Sequence, residues 1–171
     1  MSEQQLAIAT VRPVSEQGQL ATATVRRYMW LSGGAAVIPV PFLDIAAILT
    51  VQMKMIADLS AIYGIPFERS SVKAVIGSLL GYILPEALSE GSFGSLLKTI
   101  PGVGGLIGIP AFAVFTGAYA WAMGRVFIVH FESGGKFLDF DPVAVKEYFR
   151  AQFEEGRKVP GVMKTDPEAV S

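Results

Sequence analysis

One stretch limits the choice of folds more than any other. From Thr99 to Gly124 the chain carries no charged residue, and glycine recurs throughout. About 20 apolar residues suffice to cross a hydrocarbon core. Such a run therefore either enters lipid or becomes the wrapped centre of a helical bundle. Pro110 is predicted to kink a long Gly-rich helix over 103–131 without abolishing it, a defect that transmembrane helices tolerate. Composition leans the same way, with 51% hydrophobic and only 17% charged residues, where an ordinary soluble domain has about a quarter charged.

The remaining segments read as helices punctuated by glycine and proline, within one domain for a chain of 171 residues. Residues 1–20 read as a flexible arm, 21–156 as a single helical domain and 157–171 as a flexible polar tail. A first helix is predicted from Ala21 to Val37, with Arg26, Arg27, Tyr28 and Trp30 grouped like an interfacial anchor. From Phe42 to Tyr63 an amphipathic pattern places Asp44, Thr50, Lys54 and Asp58 on one stripe about 120° wide. Lys54 and Asp58 form an i,i+4 pair there, and Gly64 with Pro66 stops the helix. A third helix is expected over Glu68 to Leu84, closed by Pro85. A short one follows around Ser95 to Ile100. Asp141-Pro142 reads as an N-cap with proline at the first helical position, leading a final helix whose apolar face is Val145, Tyr148, Phe149 and Phe153. The predicted fold class is all-α, with helical hairpins forming a compact four- to six-helix bundle.

Little in the chain points to chemistry. A net charge of −1 supplies no field for nucleic acid. The absence of cysteine removes disulfides and thiolate metal or redox sites. Met1 to Leu20 lacks the apolar core of a secretory signal. The glycines from Gly102 to Gly108 fit neither nucleotide loop: a dinucleotide GxGxxG needs glycine where Ile107 stands, and a Walker loop needs Gly-Lys-Ser/Thr. They read instead as sites of close helix packing, Gly104 and Gly108 first, with Gly117 and Gly124 further along. His130 and Glu132 have the spacing of a zinc deaminase but lack its cysteines, so His130 reads as an interfacial residue snorkelling with Arg125. One histidine cannot assemble a nucleophile, a base and an orienting acid. The expectation is a non-enzyme with no cofactor or metal. Asp44, Lys54 and Asp58 are functional suspects if their helix lies in lipid, and a wet face otherwise. Gln52 lies off their stripe and is expected to bond to a neighbouring helix.

Charge sidedness bears on topology. Two hairpins would put both termini and the Gly64 turn on one side, together with twelve of the fourteen Lys and Arg residues, a positive-inside layout. The second helix has a polar stripe and the third is short, so re-entrant hairpins fit as well as full spans.

Several segments taken in order carry a resemblance: Ile38-Pro39-Val40-Pro41-Phe42-Leu43-Asp44, Gln52-Met53-Lys54-Met55-Ile56, Ala61-Ile62-Tyr63-Gly64, Ile100-Pro101-Gly102-Val103-Gly104, and Phe115 through Arg125. Together they resemble the YcjF-like family of bacterial domains of unknown function, often fused to or encoded near small Ras-like GTPases. The proline-Asp and Tyr-Gly elements are also similar to the EcsC-like family. The resemblance implies a bacterial, hydrophobic, membrane-associated module without established catalytic activity, and a small GTPase partner. No nucleotide-binding domain accompanies these residues, so GTP binding is not carried over and the GTPase would be encoded separately.

The expected role is thus a non-catalytic accessory module at the bacterial inner membrane, termini cytoplasmic, with the lipid bilayer and a small GTPase as partners and a homo-oligomer left open. Two alternatives stand beside it. One is a soluble or peripheral cytoplasmic bundle binding a lipid or other apolar ligand; the other is a small channel or transporter component with a polar path along Asp44, Lys54 and Asp58.

Overall fold

Ser15 starts the described structure. Its hydroxyl accepts the N–H of Gly18 at 3.0 Å, satisfying one of the orphan donors at a helix N-terminus. The helix it caps, α1 (Glu16–Ala35), therefore begins at Glu16 and not at Ala21. The computed structural model describes residues 15–35, 43–89 and 105–159, without the side chains of 34–35, 43–48, 86–89 and 105–112. The short helix expected around Ser95 to Ile100 lies outside these residues.

Among the described residues there are four further α-helices and no strand: α2 (Leu43–Ile62), α3 (Arg69–Ser89), α4 (Gly105–Glu132) and α5 (Lys146–Arg157), with a 3-10 turn over Phe137–Asp139. The protein is all-α, a compact bundle with extensive helix–helix packing. Each outer helix turns one stripe inward. On α1 it is Ala21, Val25, Tyr28, Met29 and Ser32; on α2 Gln52, Met55, Ile56, Leu59 and Ser60; on α3 Val72, Val75, Ile76, Leu79 and Ile83. These are the i, i+3, i+4, i+7 spacings of a helix with one buried face.

α4 has no outer face along much of its length, because every residue from Phe115 to Gly124 is buried. A helix apolar all round is enclosed by its neighbours, and here the neighbours are α1, α2 and α5. Among the described residues no helix is long and apolar enough to cross a membrane. From Phe115 to Gly124 the uncharged run therefore takes the second of the two courses open to it, the wrapped centre of a bundle. Along α4 the described side chains of Thr116, Tyr119, Arg125 and His130 interrupt the apolar character. The helix also runs on through Pro110.

Two glycines fix one end of the molecule. α2 closes with Gly64 at φ 67°, its N–H bonded to Ala61 O and that of Ile65 to Ser60 O. α4 closes in the same way, with Gly134 at φ 84°, its N–H on Phe131 O and that of Gly135 on His130 O. Both are Schellman motifs, which need a residue tolerant of left-handed φ. They lie together: the Tyr63 hydroxyl donates to Glu132 Oε1 at 3.1 Å, and Gln17 at the start of α1 donates to Ile62 O.

Two other boundaries depart from expectation. Pro85 lies inside α3, which continues to Ser89; the carbonyl it leaves unbonded four residues back belongs to exposed Gly81, where solvent can satisfy it. Asp141 caps a turn, Oδ1 accepting from Val143 N–H at 2.9 Å, and α5 starts only at Lys146.

Candidate functional site

Two glycines bring neighbouring helices into close contact with α4. A Cβ on Gly124 would stand 2.3 Å from Val25 Cγ2, and one on Gly156 would stand 2.9 Å from Ala118 Cα. The first glycine lets α1 lie directly on α4, and the second does the same for α5. At 100° per residue, the positions of α4 that meet α1 (Ala113, Thr116 and Gly124) fall opposite those that meet α5 (Phe115, Ala118, Trp121 and Arg125). α4 is therefore the middle layer between α1 and α5. Gly117 is buried in the same helix. Gly108 lies in α4 with its surroundings outside the described residues, and Gly104 falls outside them altogether.

The polar residues of α2 divide between two environments. Gln52 is fully buried and both of its amide atoms lack a hydrogen-bond partner. It stands on the stripe of Met55, Ile56 and Leu59 that faces the core. Asp58 and Lys54 stand on the outside. Asp58 Oδ2 accepts from Arg27 at 3.0 Å and from the Tyr28 hydroxyl at 2.7 Å, while Lys54 is exposed. Asp58 thus pairs across to α1 and not with Lys54 along its own helix. The Arg27 guanidinium also lies over the Tyr28 ring, 5.0 Å from its centroid. Burial, then the Asp58 carboxylate, raises the Tyr28 phenol above its ordinary value. The side chain of Asp44, in the first turn of α2, lies outside the described residues.

Thus the residues grouped in the sequence as an anchor divide, with Arg27 and Tyr28 meeting at Asp58 and Trp30 standing apart. Tyr28 turns inward and Trp30 outward. Their partnership with Asp58 carries no local signal, because it joins residues 30 or more apart in sequence.

His130 is buried, not interfacial. Its Nε2 bonds to the carbonyl of Lys136 at 2.8 Å, so Nε2 carries the proton. The ring packs edge-on to Phe140 at 5.0 Å and covers Gly135, where a Cβ would fall 2.3 Å from Cε1. Glu132 is engaged by Tyr63, so the two residues of the deaminase-like spacing do not converge. Arg125 lies beside Trp121, 5.8 Å from the ring, and donates from Nε to Gln152 Oε1 at 3.3 Å. Among the described residues no group of three or more metal-ligating side chains comes together.

Taken together, the described residues offer packing seams and surface polar groups, and among them no reactive set converges. Residues 3–158 match the family described as "Domain of unknown function (DUF697)". The chain is 36% identical over 152 residues to "Magnetosome membrane protein 22" of Magnetospirillum gryphiswaldense, covering 89% of this chain and 78% of that protein. No solved structure matches.

Proposed function

This chain belongs to the DUF697 family, and from that premise we propose that it is a non-catalytic accessory module that associates with a bacterial inner membrane. The observation that carries the reading is the similarity, along nearly the whole chain, to a protein named for a membrane. The enclosure of α4 gives the association its form. A helix already wrapped by protein has no need of lipid, so the module is held at the bilayer by its surface. The packed interior favours this over the channel reading, since Lys54 and Asp58 lie on the outside of the bundle. Fractionation of native membranes without detergent tests it. The protein should sediment with membranes and be released by alkaline carbonate. Retention after carbonate would mean insertion, and recovery in the soluble fraction before any wash would sink the membrane assignment.

A closer kinship to the YcjF-like members, and with it a separately encoded small GTPase as partner, is the finer part of the proposal. The supporting feature is the outer face of α5, which carries the ion pairs Arg150–Glu147 and Arg157–Glu154 and is the polar side of a strongly amphipathic helix. The chain has no cysteine, so Ala151→Cys on that face creates a unique attachment point for a cross-linker. Trapping a small GTPase is the expected result. Trapping only proteins without a nucleotide-binding domain would remove the GTPase from the reading.

A further inference from the structure

Large apolar side chains left in water are the natural place to seek an unrecorded surface, and the described residues hold two groups of them. Phe67, Leu138 and Val143 protrude near the glycine-closed end, but Glu68, Asp139 and Asp141 stand among them with Arg69 and Lys136. The mixed charge gives that tip no preference for either sign of surface.

The second group lies along α1. Leu20 is 58% exposed, Trp30 47% and Leu31 53%. At 100° per residue these three fall with Ala23 and Arg27 within a sector of about 100°, and Arg26 borders it. Arg26 and Arg27 are both exposed. Lys54, one turn before Asp58 on the same stripe of α2, is also exposed. Among the described residues the acids facing the sector are few. Glu16 stands at its far end, and Asp58 is already occupied by Arg27 and Tyr28. Apolar side chains interleaved with cations, with a tryptophan among them, form the outer surface of a helix that lies in the headgroup layer of an anionic membrane.

We infer that the exposed face of α1, formed by Leu20, Trp30 and Leu31 with Arg26 and Arg27, is the surface that seats this module on an anionic lipid bilayer. The inference rests on the membrane-associated reading above and identifies the face responsible. Leu31 and Trp30 enter the acyl boundary while the guanidinium groups reach phosphate. The Arg27–Asp58 bridge holds one of those cations in place on the face.

The chain has two tryptophans, and Trp121 is buried. The variant Trp121→Phe therefore leaves Trp30 as the sole reporter. With vesicles of phosphatidylcholine containing phosphatidylglycerol, its emission should move to the blue and be quenched by lipids brominated high in the acyl chain. In parallel, co-sedimentation of the full chain with the same vesicles should weaken about fivefold for Arg26→Gln, the loss expected for one cation near an anionic surface at about 1 kcal/mol. Trp30→Ala and Leu31→Ser, at exposed positions that do not support the core, should weaken it about tenfold or more. Binding of these variants equal to wild type, or an unshifted Trp30 on bound protein, overturns the assignment of the face while leaving membrane association standing. Equal binding to vesicles of phosphatidylcholine alone overturns the anionic partner. No binding of wild type to either vesicle overturns the membrane reading itself.

Discussion

Gln52 is a buried amide without a partner in a stripe of Met, Ile and Leu, and such a group costs about 1–3 kcal/mol relative to a bonded one. Methionine has nearly its shape and no polar end to satisfy. Gln52→Met should therefore raise the urea midpoint, and a fall would show that the amide has a partner in the folded protein. Tyr119 presents the opposite case. Its hydroxyl is buried and donates to Ile76 O at 2.8 Å, and burial pushes its phenol far above the ordinary 10.0. Tyr63 is raised by burial and by Glu132, and Tyr148 by burial. Below pH 10 these phenols are neutral in both states. Above it the unfolded chain loses protons that the native state keeps, so stability falls as pH rises. Tyr119→Phe should cost about 1 kcal/mol at neutral pH and flatten the decline above pH 10, measured as urea midpoints at pH 8 and 11. At this scale the sequence was least informative. It marked Gln52, Asp58 and His130 as residues of interest, but Gln52 lacks the helix partner expected of it, and Asp58 and His130 found others, because those partners come from distant segments.

Elements were more legible, since periodicity is local and survives packing. The helices α1, α2 and α3, the polar stripe of α2 and the Gly64 stop can be read from spacing and φ requirements alone. The boundaries slipped where a single side chain decides: the Ser15 cap lengthens α1, and the Asp141 turn delays α5. Pro85 did not end α3 because the carbonyl it orphaned faces solvent. How elements meet is less visible. Gly156 stands one turn after Phe153 on the buried face of α5, a spacing that marks a contact but not its closeness. Gly124 makes the corresponding seam with α1. Gly124→Ala should destabilise by about 1–3 kcal/mol through overpacking. Val25→Ala combined with it should lose less than the sum of the two, with a coupling of about 1 kcal/mol or more in a double-mutant cycle. Additive losses would show that the added methyl group is accommodated elsewhere.

At the scale of the whole molecule, the uncharged run from Thr99 constrained the fold correctly and its surroundings ambiguously. A helix apolar on every side is equally a lipid span or a protein core when read alone. What decides between them is whether neighbouring helices present enough apolar stripe to cover it, and here α1, α2 and α5 do. The placement of α1 and α5 on opposite faces of α4 then gives the bundle a thickness. With adjacent helix axes about 8–10 Å apart, the axis of α5 stands about 16–20 Å from that of α1. If α1 is the keel on the bilayer, α5 is a deck raised beyond the Debye length of about 8 Å at physiological ionic strength. A partner on that deck would be screened from the charge of the lipid below, and could be recruited by its fit to α5 without carrying a basic surface of its own.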